Sequence, residues 1–180
     1  MTRWVAFLRG MNLGGRRVTN EQLCSAFAEL GLRSPTAFLA SGNVVFESEE
    51  ADATRLSERL AGGLEEHFGY AVPTFLRRDD EVRAIVAHRP FPTEVIESSK
   101  GKLQVALLPA VPSAAVRKQV LAHTSDEDRL DLAGRELYWL PSGGILDAEL
   151  DLVALEKLVG PWTMRTRRTM ERLAAKLLGQ

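Results

Sequence analysis

The chain opens on an uninterrupted apolar run, Trp4-Val5-Ala6-Phe7-Leu8, whose lack of alternation predicts a strand buried on both faces. Polar and glycine residues follow up to Thr19, which stands three residues ahead of Gln22 as a capping box opens a helix. Leu23, Phe27 and Leu30 then recur at helical spacing, and Gly31 sits where a helix-terminating glycine belongs. Residues 36–40 and 44–47 are rich in β-formers and joined through Ser41-Gly42-Asn43, so they predict a hairpin. Leu56, Leu60, Leu64 and Phe68 mark the buried face of a second helix starting at Asp52, with Gly62 and Gly63 weakening it. Residues 72–76 predict a fourth strand, and Pro73 places it at a sheet edge. The order β-α-β-β-α-β is that of a ferredoxin-like unit, complete within residues 1–78.

Residues 79–180 read as a second, smaller α+β subdomain. Asp79-Asp80-Glu81 fill the first turn of a helix through Val82, Ile85 and Val86, where the helix dipole favours acidic residues. A loop is expected from Phe91 to Gly101, then a buried strand over 103–108 and a helix capped by Ser113. Apolar runs on either side of Ala133-Gly134-Arg135-Glu136 predict another hairpin. Helices are expected through Leu150, Val153 and Leu158, ending at Gly160-Pro161, and from about Thr166 through Met170, Leu173 and Leu177. The fold class is therefore α+β, with about three strands and four helices in the second half.

Composition narrows the function classes. Hydrophobic residues make up 45% and charged residues 26% of 180 residues, the profile of a soluble globular protein. The net charge of −1 excludes a polycation built to coat nucleic acid, so any basic site must be local. One cysteine, Cys24, excludes an intramolecular disulfide. The first apolar run is too short for a signal peptide, and nothing approaches the roughly 20 apolar residues that span a bilayer. A cytoplasmic protein without a membrane partner is expected.

Candidate chemistry concentrates at Leu8-Arg9-Gly10-Met11-Asn12-Leu13-Gly14-Gly15-Arg16-Arg17, between the first strand and the first helix. Gly10 and Gly15 match the first part of a phosphate-binding P-loop, but Arg16 and Arg17 occupy the Lys and Ser/Thr positions, so the magnesium-holding hydroxyl is missing. The glycine spacing also fails a dinucleotide fingerprint. What remains is a backbone nest for an anion, weighed against glycines that only permit a tight turn. Strands one and three of the unit are antiparallel neighbours, which should bring Arg9 and Asn12 towards Ser41 and Asn43. A third cluster, Thr163-Met164-Arg165-Thr166-Arg167-Arg168-Thr169, puts cations at the head of the last helix, against its dipole; a bound anion or nearby carboxylates would relieve that conflict.

Other chemistry is thin. His67, His88 and His123 lie in unrelated segments without metal-ligand spacing, so neither a metal nor another cofactor is expected. Cys24 borders a buried stripe, and no serine lies in a nucleophile elbow. The candidate ligand set is Arg9, Asn12, Gly14, Gly15, Ser41 and Asn43, with Arg165 and Arg168 from the last helix. An anionic small molecule or a nucleic-acid backbone would fit; an enzyme of a phosphorylated or carboxylated metabolite and an interaction module are the rivals.

Leu8-Arg9-Gly10-Met11-Asn12-Leu13-Gly14-Gly15 followed by Ser41-Gly42-Asn43-Val44-Val45-Phe46 resembles the domain of unknown function 1697 family. The resemblance implies a bacterial protein of two α+β subdomains, the first ferredoxin-like, and implies no activity, substrate or catalytic residues. Thr163, Arg165 and Thr169 keep the family's Thr-x-Arg-Asn-Trp-Asn-Thr pattern, while Thr166, Arg167 and Arg168 depart from it. The family also tends to carry a Ser-Lys pair ahead of the penultimate helix, where this chain reads Ile145-Leu146-Asp147-Ala148.

Overall fold

The computed structural model describes residues 1–39 and 42–179. The chain is α+β, with two four-stranded antiparallel sheets and, among the described residues, seven α-helices. It divides into two compact units, residues 1–82 and 83–180, so the second, expected to be the smaller, is the longer of the two.

In the first unit, β1 (Thr2–Leu8), α1 (Asn20–Glu29), β2 (Arg33–Ala37), β3 (Asn43–Ser48), α2 (Ala53–Phe68) and β4 (Thr74–Arg78) follow in turn, and the sheet order is β2-β3-β1-β4. The apolar run at the start is thus a central strand, and Trp4 to Leu8 are all buried. Alternate positions Trp4, Ala6 and Leu8 join Phe27, Phe46 and Leu60 in one core cluster, the period-two consequence of packing helices on that face. Pro73, which lacks an amide donor, stands just before β4 at the sheet edge. The capping box forms as expected: the Thr19 hydroxyl accepts the Gln22 amide and the Gln22 side chain accepts the Thr19 amide. Gly62 lies inside α2, and a Cβ there would meet nothing within 4 Å. Gly62→Ala should therefore raise stability by about 0.5–1 kcal/mol, checked by urea denaturation.

The second unit begins within α3 (Asp79–Ala87) and continues through α4 (Thr93–Ser98), β5 (Gln104–Leu107), α5 (Ala114–Leu121), β6 (Asp128–Ala133), β7 (Glu136–Pro141), a 3-10 turn at Ile145–Asp147, α6 (Leu152–Val159), β8 (Thr163–Thr166) and α7 (Arg167–Leu178). Its sheet order is β6-β7-β5-β8. Leu130, Leu132, Trp139, Leu155 and Trp162 share its core cluster. Two expectations are corrected here. Part of the loop expected after Phe91 is the short helix α4. Residues 163–165 are not the head of the last helix but a strand, because they pair antiparallel with β5, Val105 opposite Arg165. The unit therefore holds four strands rather than three, and Thr166 caps α7 by accepting the Thr169 amide. Among the described residues, no helix is long and apolar enough to cross a membrane.

Candidate anion-binding site

The site starts where β1 runs out. Leu8 donates its amide to Gly42 O at 2.8 Å, and Arg9 donates to Pro73 O at 3.0 Å, so the chain leaves the sheet tied on both sides. The two loops expected to approach each other do so at Gly42. With φ at +71°, Gly42 takes a conformation that other residues resist, and a Cβ there would stand 3.2 Å from Leu8 Cβ and 3.3 Å from Met11 Cγ. Met11 is buried in the core cluster beneath.

Beyond Met11 the chain is exposed from Asn12 to Arg17. Asn12 Oδ1 accepts the Val18 amide at 3.3 Å and closes this excursion at its base. Gly14 and Gly15 both have positive φ, +62° and +82°. Arg16 lays its guanidinium 3.9 Å from the Tyr70 ring centroid, a cation-π contact that fixes its direction. Among the described residues, neither Arg16 nor Arg17 is paired with a carboxylate, whereas Arg33, Arg55, Arg129 and Arg167 each are. A hollow of about 650 Å³ is lined by Asn12, Gly15, Arg16, Arg17 and the start of α1. Helix dipole, loop amides and two arginines all favour a negative occupant.

The other expected residues fall into different positions. Arg9 and Gly10 are half-buried at the root of the loop. Asn43 is fully buried; its Nδ2 donates to Phe38 O at 3.0 Å while its own carbonyl accepts the Phe38 amide, so it closes the hairpin from inside. Ser41 lies outside the described residues. Arg165 and Arg168 belong to the second unit. Arg165 is buried in β8 and donates Nη1 to Thr163 Oγ1 and Met164 O, and burial pulls its pKa down to about 10, still charged at neutral pH. Arg168 is exposed in the first turn of α7.

The charge conflict expected at that helix start is smaller than the sequence implies. Arg165 is not in the helix. Arg167 donates to the carbonyls of Val86 and His88 at the C-terminal end of α3 and pairs with Glu171. A cation there meets the negative end of another helix.

One pairing has no counterpart in the sequence reading. His88 Nε2 meets Asp131 Oδ2 at 2.7 Å, against the ring of Tyr138 at 4.7 Å between centroids, with Arg117 at 3.9 Å from the other carboxylate oxygen. The partners are separated by 43 residues and carry no spacing signal. Among the described residues, no group of three metal-ligating side chains comes together.

An α+β protein with two such sheets and a glycine-arginine loop is the class these features define. The chain belongs to the DUF1697 family of proteins of unknown function, whose model matches residues 1–138. That match contains the loop and the hairpin but stops before Arg165 and Arg168. A search among curated proteins found no match. Among solved structures, the chain is similar to the conserved bacterial protein SP0830 from Streptococcus pneumoniae, with a TM-score of 0.79, 19% identity, and 99% of each chain covered. At that identity the likeness concerns the fold alone.

Proposed function

We propose that this protein binds an anionic, phosphate-bearing ligand on the exposed loop between β1 and α1. One observation carries the reading: two adjacent arginines stand at a hollow beside a helix N-terminus with no carboxylate partner among the described residues. Unneutralised neighbouring cations repel each other, so keeping both beside one hollow is a cost that a bound anion offsets. Asn12, Gly14, Gly15, Arg16 and Arg17 are the contact residues in this reading, and Arg9 and Asn43 brace the loops beneath them. Arg168 supplies a further exposed cation in the second unit. The proposed setting is the cytoplasm, where phosphorylated metabolites and nucleic acids both occur.

The double substitution Arg16→Ser/Arg17→Ser should weaken pyrophosphate binding at least tenfold in isothermal titration, about 1.4 kcal/mol. If the ligand is a nucleic-acid backbone, a short single strand should bind with a salt slope that falls by about 0.7 for each contact removed. Failure of the wild-type protein to bind either probe at low salt would sink the proposal. A second reading, an enzyme acting on a phosphorylated or carboxylated metabolite, draws on His88, which Asp131 holds in one orientation as a base should be.

A further inference from the structure

The second unit repeats the first element by element. The first runs β1-α1-β2-β3-α2-β4 with sheet order β2-β3-β1-β4; the second, from β5, runs β5-α5-β6-β7-α6-β8 with order β6-β7-β5-β8. In each, the last strand leads directly into a helix, α3 or α7.

Matching positions agree in detail. The central strands read Val5-Ala6-Phe7-Leu8 and Val105-Ala106-Leu107-Leu108. Val5 lies between Val45 and Arg77, and Val105 between Tyr138 and Arg165. Both arginines are buried, and each donates Nη1 to the carbonyl of the residue before it, Leu76 or Met164. Leu8 donates to Gly42 O at 2.8 Å, and Leu108 donates to Arg135 O at 2.8 Å. The first helices are capped by Thr19 and Ser113, the second by Asp52 and Asp151. The second helices both end on a glycine of positive φ, Gly69 and Gly160.

Two copies of one unit provide an internal control on the connection between first strand and first helix. From Leu108 to the cap Ser113 the chain needs only residues 109–112; from Leu8 to the cap Thr19 it spends residues 9–18. Most of the extra length sits in residues 13–17, all exposed, while Met11 before them is core and Asn12 and Val18 are already joined. Pro109-Ala110-Val111-Pro112 has no arginine, and its two prolines offer no amide to an anion.

We infer that this protein is an internal repeat in which the first copy alone binds the ligand, through an insertion at residues 13–17 that the scaffold does not require. The ligand half of this inference rests on the anion-binding reading. The second copy passes from strand to helix without a glycine, so the glycines belong to the longer connection and not to the scaffold the two copies share.

The experiment replaces residues 13–17 with a single glycine in the full chain. The expected result is a far-UV spectrum like that of the wild type, a thermal midpoint within a few degrees, and pyrophosphate binding at least tenfold weaker, with one site per chain in the wild type. A large fall in the midpoint, or failure to fold, would overturn the insertion by showing that the segment is structural. Retained binding, or two sites per chain, would overturn its role as the sole site. The Arg16→Ser/Arg17→Ser variant reads binding on a loop of native length. If the wild type binds no pyrophosphate, the ligand half falls with the functional reading, and the stability of the shortened chain still decides whether the segment is an insertion.

Discussion

Gly101→Ala should be among the most damaging single substitutions in this protein, lowering stability by about 3 kcal/mol or more. A Cβ at Gly101 would stand 2.1 Å from Pro141 O and 2.6 Å from Gly143 O, both backbone atoms at the end of β7 and just beyond it. No rotamer change can relieve that contact, because the obstacle is the chain itself. The approach is also held from the other side. Ser99 Oγ donates to Pro141 O at 2.6 Å and accepts the Gly101 amide at 3.1 Å, so moving Gly101 away disturbs both bonds. Gly63 shows the contrast: its Cβ would come 2.3 Å from Leu30 Cδ2, but that atom ends a flexible side chain that can turn aside. In a chain of this size the loss at Gly101 should appear as a fall of roughly 6–12 °C in thermal midpoint. A midpoint unchanged within two degrees would show that the backbone there yields easily.

Much of the first unit was legible because its signals are local. The apolar run at Trp4, the Thr19–Gln22 box, the leucine stripe of α2 and Pro73 each act within one element. The neighbour relation of β1 and β3 followed from element order, which is why the approach of the glycine loop to Gly42 could be expected. The second unit was less readable because its defining facts are long-range. Thr163-Met164-Arg165-Thr166 has neither alternation nor apolar continuity, and only pairing with β5 makes it a strand. The repeat is hidden for a related reason. Register fixes what faces what, not which side chain fills the place, so Phe46 and Trp139, or Asn43 and Glu136, hold the same position with different chemistry. At the site, the glycine spacing pointed to the loop, but the sequence used Arg16 and Arg17 only to reject a P-loop. Their lack of a carboxylate partner among the described residues is a property of everything that packs around them, and no motif encodes it.

Trp139→Ala should cost about 3–5 kcal/mol for the emptied core, with roughly 1–3 kcal/mol more for the polar group it strands. Trp139 is buried in β7 between Gln104 of β5 and Leu130 of β6, within the cluster that holds Leu155 and Trp162. Its indole Nε1 donates to Asp128 Oδ1 at 2.8 Å, and Asp128 is itself buried at the start of β6. One side chain therefore fills the core of the second unit and satisfies a carboxyl that water does not reach. The sum approaches the whole stability of an ordinary domain, about 5–15 kcal/mol, so the second unit should be marginal or unfolded at 37 °C. Trp139→Phe separates the two parts: it keeps most of the apolar volume and removes the donor, and should cost about 1–3 kcal/mol. Because Asp128→Ala removes the acceptor, its combination with Trp139→Phe should cost less than the two single losses added together. Urea unfolding of the wild type, the two single variants and the double variant, followed by far-UV circular dichroism, measures this directly. Additive losses would mean that the hydrogen bond contributes nothing. A Trp139→Ala loss under 1 kcal/mol would mean that this core closes around the gap, which a sheet pinned by Gly101 against Pro141 has little freedom to do.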